Sequence, residues 1–276
     1  MPASRPRLGH CFLPTERGEI LLTTWLPAEG RPTHWLLVAP PFAEEMNKSR
    51  RMLAMLGRSA AAAGYSVVLA DLAGTGDSWG DFCDASYDLW LTDLLGAARW
   101  AGEQGGAVTA VAGLRFGGLL ATDLAGRIPT VRQLLLWQPA LAGADVLTQF
   151  LRLKTAASLT GGGETGDSLE NIRARLTRGE AIEVAGYELT AELYATIQSR
   201  QLADLMPDRP ITVDWFHLAR QPGATVPGPI AVAAGRLAAR GAAVRTHSVQ
   251  GDAFWSTAEI AVCEELVALT VAHLAD

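Results

Sequence analysis

The sequence predicts an α/β fold in which helices cover both faces of a mostly parallel sheet. Short apolar or β-branched runs alternate with amphipathic helical patterns along most of the 276 residues. The later runs are apolar throughout, which is the pattern of strands buried on both faces. The strand rhythm stops between about 141 and 208, where the sequence becomes helical, and it returns afterwards. The pattern favours one α/β domain that carries a helical insertion.

The predicted strands are short and bounded by Gly or Pro, and the predicted helices have apolar residues at helical spacing. The strands are 20–26, 34–39, 66–70, 107–112, 131–137, 211–218 and 243–249, and the helices are 49–63, 87–102, 117–127, 228–241 and 256–274. The first one or two strands are expected at an antiparallel edge. We expect a single domain over 1–276, with a cap or lid at about 141–208 that contains a Gly-rich break at 160–166.

Composition excludes several classes of function. The chain is 49% hydrophobic and 19% charged, as expected of a globular protein with a large core. Its net charge is −6, and the short basic run at 48–51 is too small for a nucleic-acid interface. Three cysteines lie far apart without metal-ligand spacing, which favours a reducing compartment, the cytoplasm. No apolar run approaches the ~18 residues of a membrane span.

The run Gly-Leu-Arg-Phe-Gly-Gly at 113–118 follows a predicted strand and leads into a predicted helix. A strand, a tight turn between glycines and a helix form the nucleophile elbow of the α/β-hydrolase fold, whose pattern is G-x-S-x-G. Here Arg115 stands where Ser, Cys or Asp would be the nucleophile. We therefore predict an α/β-hydrolase fold, with a mostly parallel central sheet, flanking helices and a helical lid insertion.

Arg115 cannot act as a nucleophile, because its guanidinium stays protonated. It could tie down the cap through a buried carboxylate, or it could hold an anionic ligand together with the helix N-terminus. We favour the first interpretation, since a buried charge needs a protein partner before a ligand arrives. Glu44 and Glu45 follow the strand at 34–39, and we predict that one of them pairs with Arg115.

The other triad positions also lack the expected residues. The loop 219–227 has no acid, and the run 251–255 has no His. His217 and His247 lie inside predicted strands, where a structural role is expected. Ser78 belongs to a literal G-x-S-x-G at 76–80, but no helix follows directly, so it is a weaker candidate nucleophile.

Candidate site residues are chosen by their place after predicted strands. The catalytic candidates are Ser78, Glu44, Glu45 and Asp77. Paired acids near the rim, namely Asp71, Asp77 and Glu44, could do general acid/base work on a glycosidic bond. The ligand-binding candidates are Arg115, Phe42, Phe116 and Trp255, since aromatic side chains there could stack on a sugar or line an acyl pocket. Ion pairs that fix loops, and aromatic packing under the lid, are the alternatives. No metal and no cofactor are expected.

Several longer strings carry a resemblance to a known family. They are Pro-Pro-Phe-Ala-Glu-Glu-Met-Asn-Lys-Ser-Arg-Arg-Met at 40–52, Gly-Leu-Arg at 113–115, Leu-Trp-Gln-Pro at 136–139, Thr-Gln-Phe-Leu-Arg at 148–152, Val-Ala-Gly-Tyr-Glu-Leu at 184–189 and Phe-Trp at 254–255. Over nearly its whole length the chain resembles the exosortase A system-associated hydrolase 2 family. The resemblance implies an α/β-hydrolase-fold protein encoded beside bacterial exopolysaccharide and exosortase sorting functions, with the Arg of the elbow as a family feature.

Two functions follow from these observations. The first is a hydrolase of ester or glycan linkages in exopolysaccharide metabolism that works without a Ser-His-Asp triad. The second is a non-catalytic accessory protein that binds an anionic ligand or partner through Arg115. We expect a small-molecule or saccharide ligand, no nucleic acid and no membrane span, and we leave a homodimer open. Fold alone does not decide between the two functions.

Overall fold

The computed structural model describes residues 5–160, 168–221 and 223–274. The strands are β1 (Arg7–Pro14), β2 (Glu19–Leu26), β3 (His34–Ala39), β4 (Ser66–Ala70), β5 (Ala107–Leu114), β6 (Gln133–Trp137), β7 (Ile182–Val184), β8 (Tyr187–Leu189), β9 (Ile211–Ala219) and β10 (Ala242–Gln250). The α-helices are α1 (Glu44–Ala62), α2 (Tyr87–Glu103), α3 (Gly117–Arg127), α4 (Gly143–Thr160), α5 (Leu169–Thr177), α6 (Ala191–Gln198), α7 (Gly228–Ala239) and α8 (Glu264–Leu274). Short 3₁₀ helices lie at Phe82–Asp84 and Leu202–Leu205.

The main sheet has eight strands in the order β1-β2-β4-β3-β5-β6-β9-β10. β2 pairs antiparallel with both β1 and β4, and the remaining neighbours pair parallel. The predicted mostly parallel sheet with an antiparallel edge is therefore confirmed. The carboxyl ends of the parallel strands meet at one edge, where ligands bind in open α/β sheets.

Helices bury both faces of this sheet. Along β3, Leu36 and Val38 pack into a core with α1 and α8, while Trp35 and Leu37 face a core formed with α2, α3 and α7. A strand whose successive side chains point to opposite buried faces must be apolar throughout. This packing explains why the sequence of the central strands shows no alternation of polar and apolar residues.

The predicted elements differ from the structure mainly at their ends. α1 begins at Glu44 instead of 49, and acidic side chains in its first turn suit the positive end of the helix dipole. The predicted helix 256–274 is wrong over its first part, since α8 begins at Glu264. There the Thr257 hydroxyl donates to the carbonyls of Phe254 and Glu259, a side-chain to backbone pattern that competes with helix. β1 was not predicted as a separate strand.

The insertion between β6 and β9 contains α4, α5, α6 and the β7–β8 hairpin. The hairpin was not predicted, because its strands are only three residues each. Phe150 of α4 packs edge-on against Phe42, with ring centroids 5.0 Å apart, so the insertion contacts the carboxyl edge of the sheet. The predicted Gly-rich break falls at 160–166, which lies outside the described residues except for 160.

The structure bears on two further expectations. Cys11, Cys83 and Cys263 are free thiols, in line with their wide spacing in the sequence. None of the helices in the described ranges combines the length and the apolar character that a bilayer crossing requires.

Candidate functional site

Arg115 lies in the turn between β5 and α3, with a backbone φ of 55°. A positive φ is uncommon for a residue with a side chain and costs about 1–3 kcal/mol. The turn is held by hydrogen bonds: the Arg115 amide donates to the Trp137 carbonyl at 3.0 Å, and the Gly118 and Ala140 amides donate to the Arg115 carbonyl at 3.0 Å each. This strained turn is the nucleophile-elbow geometry that the sequence predicts.

The glycines on either side of the elbow are there because the backbone passes too closely for a Cβ atom. A Cβ at Gly113 would lie 2.3 Å from the Gly117 carbonyl oxygen, and one at Gly117 would lie 2.3 Å from the Ala39 carbonyl oxygen. Because both obstacles are backbone atoms, neither can move aside cheaply. Gly113 and Gly117 therefore fix the position of Arg115 relative to β3.

We expect Gly117→Ala to destabilise the protein, because the added methyl group meets the backbone of Ala39. Overpacking of this kind costs about 1–3 kcal/mol, and each kcal/mol lowers Tm by roughly 2–4 °C in a protein of this size. Gly102→Ala is the matched control, since a Cβ there meets nothing within 4 Å in helix α2. Thermal unfolding followed by circular dichroism checks this, and equal losses of Tm in both variants would contradict the elbow packing.

The Arg115 guanidinium is held by side chains from separate parts of the chain. Its Nε donates to Glu45 Oε1 at 3.3 Å, and its Nη2 donates to Gln149 Oε1 of α4. Its Cζ also lies 5.3 Å from the ring centroid of Trp255, in a cation–π arrangement. The Arg115 side chain is 13% exposed and that of Glu45 17%. The predicted pairing of Arg115 with Glu44 or Glu45 is thus present, with Glu45 as the partner.

Trp255 lies in the loop after β10, at the point where a Ser-His-Asp hydrolase of this fold carries its histidine. Its ring is nearly buried and packs edge-on against Phe254, with centroids 5.1 Å apart. An aromatic face therefore contacts the Arg115 guanidinium next to the elbow. The sequence placed Trp255 among the ligand-binding candidates, and the structure places it against Arg115.

Burial raises the pKa of both Glu44 and Glu45. Desolvation raises the pKa of Glu45 to about 7, against the opposing attraction of Arg115. Burial also raises the pKa of Glu44, although its own backbone amide and Lys48 oppose that shift. Glu44 Oε2 is buried and has no hydrogen-bond partner among the described residues. Near neutral pH, Glu45 therefore exchanges between the ionised and protonated forms.

Arg115 lines a cavity of about 320 Å³, which we call the Arg115 pocket. Its charged lining residues are Arg115, Arg152 and Asp145. Arg115 is paired with Glu45, which lines the neighbouring cavity, so Arg152 is the cation of this lining without an ion pair to a described residue. The apolar part is lined by Leu141, Val146, Trp215 and Ile230. A neighbouring cavity of about 190 Å³ has the opposite balance, with Glu44, Glu45 and Lys48. An anion is therefore favoured in the Arg115 pocket and disfavoured in its neighbour.

A smaller cavity of about 110 Å³ lies next to Phe116, and its charged lining residues are Arg50 and Asp71. These two side chains pair with each other at 3.1 Å, so they largely neutralise each other. Arg152, by contrast, has no ion-pair partner in the part of the chain that the structure describes. The Arg115 pocket thus offers the stronger attraction for a charged ligand.

Phe42 and Phe116, both predicted to contact ligand, are almost fully buried at 3% and 1% exposure. Their ring centroids lie 5.4 Å apart, and both rings also pack against Trp90. Neither side chain lines the Arg115 pocket. The structure therefore favours the alternative interpretation for these two residues, which is aromatic packing between the elbow and the insertion.

Ser78 and Asp77 lie in the loop after β4 and do not line the Arg115 pocket. The Ser78 hydroxyl donates to the Asp71 carbonyl and accepts from the Leu21 amide at 2.8 Å. Asp77 is exposed, and its amide donates to the Asp71 carboxylate at 3.3 Å. These bonds fasten the loop to β2, which favours a structural role for Ser78 over that of a nucleophile.

Sequence reasoning missed several polar residues of the site. Gln138 follows β6 with a φ of 41°, and its Oε1 accepts from His217 Nδ1 at 2.9 Å and from the Leu218 amide at 3.0 Å. Burial lowers the pKa of His217, which favours its neutral form. Gln149 and Arg152 lie three residues apart on α4 and so share one helix face. Gln138 could have been found from its place directly after a strand, whereas Gln149 required knowledge of where α4 crosses the elbow.

The sheet, the elbow and the helical insertion define an α/β-hydrolase-fold protein. Est1E from Butyrivibrio proteoclasticus with ferulic acid bound is similar, with a TM-score of 0.64 and 16% identity over 96% of this chain and 98% of that one. The hyperthermophilic esterase of the archaeon Pyrobaculum calidifontis has a TM-score of 0.58 and 16% identity, covering 99% and 88%. A thioesterase domain from the curacin biosynthetic pathway has a TM-score of 0.56 and 15% identity, covering 98% and 100%. At these identities the likeness shows the fold.

Residues 19–223 match the family described as X-Pro dipeptidyl-peptidase (S15 family), and the chain belongs to that family. The matched region begins at β2 and extends past β9, so it includes the elbow and the insertion. The comparison with curated proteins gives no match.

Proposed function

We propose that this protein is a non-catalytic member of its family that binds an anionic small molecule in the Arg115 pocket. The observation that carries the proposal is the place of Arg115: a permanent cation occupies the elbow, in a strained turn that directs it to the sheet's carboxyl edge. Strained non-glycine residues cluster at functional sites. Ala43 and Gln138, which follow the neighbouring strands β3 and β6, also have positive φ.

Acyl transfer by a triad needs a nucleophile, a base and an orienting acid within hydrogen-bond reach of one another. Arg115 cannot supply the first, and Trp255 stands where the second is expected. The loop after β9 offers no carboxylate in the sequence 219–227. Arg115 stands at the position of the nucleophile and Trp255 at the position of the base, and their side chains contact each other. This supports a site that has exchanged triad chemistry for binding.

The Arg115 pocket suits an anion with an apolar or sugar body. Arg115 uses Nε and one N–H of Nη2 on protein partners, so further guanidinium N–H groups remain for a ligand. The N-terminus of α3 adds a favourable dipole, and Arg152 adds a second cation at the rim. Trp215 and Ile230 could contact the remainder of the ligand. A carboxylate, including that of an acidic sugar, fits this arrangement.

The biological setting is part of the proposal. The resemblance to the exosortase A system-associated hydrolase 2 family supports a role beside exopolysaccharide and exosortase functions, and so an acidic saccharide as ligand. The insertion at about 141–208 would act as a lid of the single domain 1–276, since α4 lines the pocket. Free cysteines suit the cytoplasm.

A hydrolase that uses Glu45 is the second candidate. The observation that favours it is the pKa of about 7, which lies where a general acid or base works best near neutral pH. Glu44, directly before it, could supply the second carboxylate that glycoside hydrolysis requires. The ion pair between Glu45 and Arg115 favours the alternative in which Glu45 only fixes the loop next to the elbow.

Activity measurements separate these candidates. We expect the purified protein to show no labelling by a serine-directed fluorophosphonate and no turnover of p-nitrophenyl acyl esters or glycosides above buffer. Labelling that is lost in Ser78→Ala would restore a serine mechanism and defeat the proposal. Turnover that is lost in Glu45→Gln, at matched folding by circular dichroism, would favour the second candidate.

A further inference from the structure

We propose that Asp214, His247 and His273 form a binding site for a divalent transition-metal ion such as Zn²⁺, between the sheet and α8. Each side chain offers one ligand atom, and these atoms all lie within 4.8 Å of one another. The sequence alone predicts no metal, because the residues come from β9, β10 and α8 and have no ligand spacing along the chain. The site is independent of the proposed anion pocket.

The distances suit a metal ion after small side-chain movements. His247 Nε2 lies 2.9 Å from Asp214 Oδ1, and His273 Nδ1 lies 3.8 Å from the same oxygen. The two imidazole centroids are 4.3 Å apart. Zinc takes nitrogen and carboxylate ligands at about 2.0–2.2 Å, so tetrahedral donor atoms are about 3.4 Å from one another. The distances from Asp214 Oδ1 to His247 Nε2 (2.9 Å) and to His273 Nδ1 (3.8 Å) are respectively shorter and longer than that value.

Surrounding hydrogen bonds hold the carboxylate in place. Asp214 is fully buried in β9, and Gln133 Nε2 and Arg245 Nη2 each donate to its Oδ2 at 2.8 Å. Gln133 also donates to the carbonyl of His273, which ties α8 to the sheet. Metal-binding carboxylates are normally fixed by such outer partners. A metal would then bind through Oδ1, the oxygen nearest both histidines.

The donor set indicates which cations could bind. Two imidazoles and one carboxylate favour Zn²⁺, Co²⁺ or Ni²⁺, whereas Ca²⁺ and Mg²⁺ prefer sites made of oxygen atoms. His247 and His273 are 15% and 22% exposed, so an ion can reach them from solvent. Three protein ligands leave a coordination position for water.

Arg245 should weaken the binding of a metal ion to this site, because its Nε also donates to Asp214 Oδ1, at 2.7 Å. The guanidinium and an incoming cation compete for that oxygen and repel each other. Arg245 is 39% exposed, so it can turn towards solvent when an ion binds. Removing its charge should therefore tighten metal binding. A cluster that serves only as an ion-pair network would lose stability in that variant without gaining affinity for a metal.

The test uses the full chain after dialysis against a chelator, titrated with Zn²⁺ by calorimetry and with Co²⁺ by visible absorption. We expect binding of one equivalent, weakened at least tenfold in His247→Ala and in His273→Gln. Arg245→Met should tighten it about tenfold. His10→Ala is the matched control, because His10 is exposed on β1 at the opposite edge of the sheet.

Absence of binding in the wild type, or histidine variants that bind as well as the wild type, would overturn the proposal. The same holds if Arg245→Met leaves the affinity unchanged or weakens it. Circular dichroism of each variant shows whether the fold is retained. His273→Gln keeps a polar side chain on α8 and provides a second result if His247→Ala unfolds.

Discussion

Replacing Arg115 with Gln should weaken carboxylate binding to the Arg115 pocket by about 10- to 100-fold. The estimate follows from the loss of charged hydrogen bonds worth roughly 1.5–3 kcal/mol, at 1.4 kcal/mol for each factor of ten. The fold should survive, because Glu45 can take up a proton when its partner is removed. Its pKa is already raised to about 7 by burial.

The measurement is calorimetric titration with ferulate, glucuronate and inorganic phosphate, slightly below neutral pH. Ferulate is chosen because it joins a carboxylate to an apolar ring, the kind of ligand that the lining of the Arg115 pocket suits, and glucuronate represents an acidic sugar. Arg152→Gln should cause a smaller loss, since that side chain is exposed at the rim of the pocket. Arg132→Gln is the matched control, because Arg132 is exposed just before the amino end of β6, away from the elbow.

Different outcomes would identify different errors. If Arg115→Gln and Arg132→Gln bind equally well, the ligand does not use Arg115. If the wild type binds none of the probes, the anion proposal fails, whatever the variants do. Loss of binding together with loss of the circular dichroism signal would call for Arg115→Lys, which keeps the charge without the planar guanidinium. That variant should retain part of the affinity.

Carboxylate binding should weaken as pH rises above about 7. Glu45 Oε1 lies 3.3 Å from Arg115 Nε, so an ionised Glu45 competes with the ligand for the Arg115 guanidinium. The protonated form prevails below the pKa of about 7, where Arg115 is more available. A bound anion also raises that pKa further, so binding takes up a proton, and by linkage a lower pH strengthens binding. Between the pKa of Glu45 in the free protein and its higher pKa in the complex, the affinity should fall by up to about tenfold per pH unit, and at still higher pH it should level off.

Charged groups around Glu45 set the range of this effect. Glu44 and Lys48 lie on the same helix, Arg115 comes from the elbow, and Arg152 lies on α4. The affinity for ferulate is measured between about pH 6 and pH 9 in wild type and in Glu45→Gln. Ferulate keeps its carboxylate charge over this range, and phosphate is unsuitable because it titrates. If the ferulate affinity of Glu45→Gln does not change with pH, the pH dependence of the wild type comes from Glu45. If both proteins show the same slope, the pH dependence comes from another group.

The sequence predicted the sheet and the elbow well, because both depend on local patterns. β3 and β4 match their predicted bounds, since apolar strands buried on both faces stand out from their Gly and Pro boundaries. The elbow was recognised from glycines that the structure requires on steric grounds, Gly113 and Gly117. The starts of α2, α3 and α7 also match, whereas α1 and α8 begin at Glu44 and Glu264 instead of 49 and 256. For α8, the hydrogen bonds of the Thr257 hydroxyl compete with helix and give no periodic signal in the sequence.

The partners of Arg115 could be predicted only in part. A carboxylate from the loop after β3 was expected on charge grounds, but the choice of Glu45 over Glu44 depends on how α1 begins. Gln149 and Arg152 come from the insertion, whose position over the sheet is a matter of tertiary packing. The grouping of Asp214 with two histidines likewise depends on α8 and on the register of β9 with β10. Contacts of this kind have no periodic signal in the sequence.

A crystal structure of the protein with ferulate tests the central claim most directly. We predict the ferulate carboxylate within hydrogen-bond distance of the Arg115 guanidinium, with the ring towards Trp215 and Ile230 and no covalent bond to the protein. Ferulate bound elsewhere, or an adduct on Ser78 or Glu45 after treatment with an activated ester, would contradict the account.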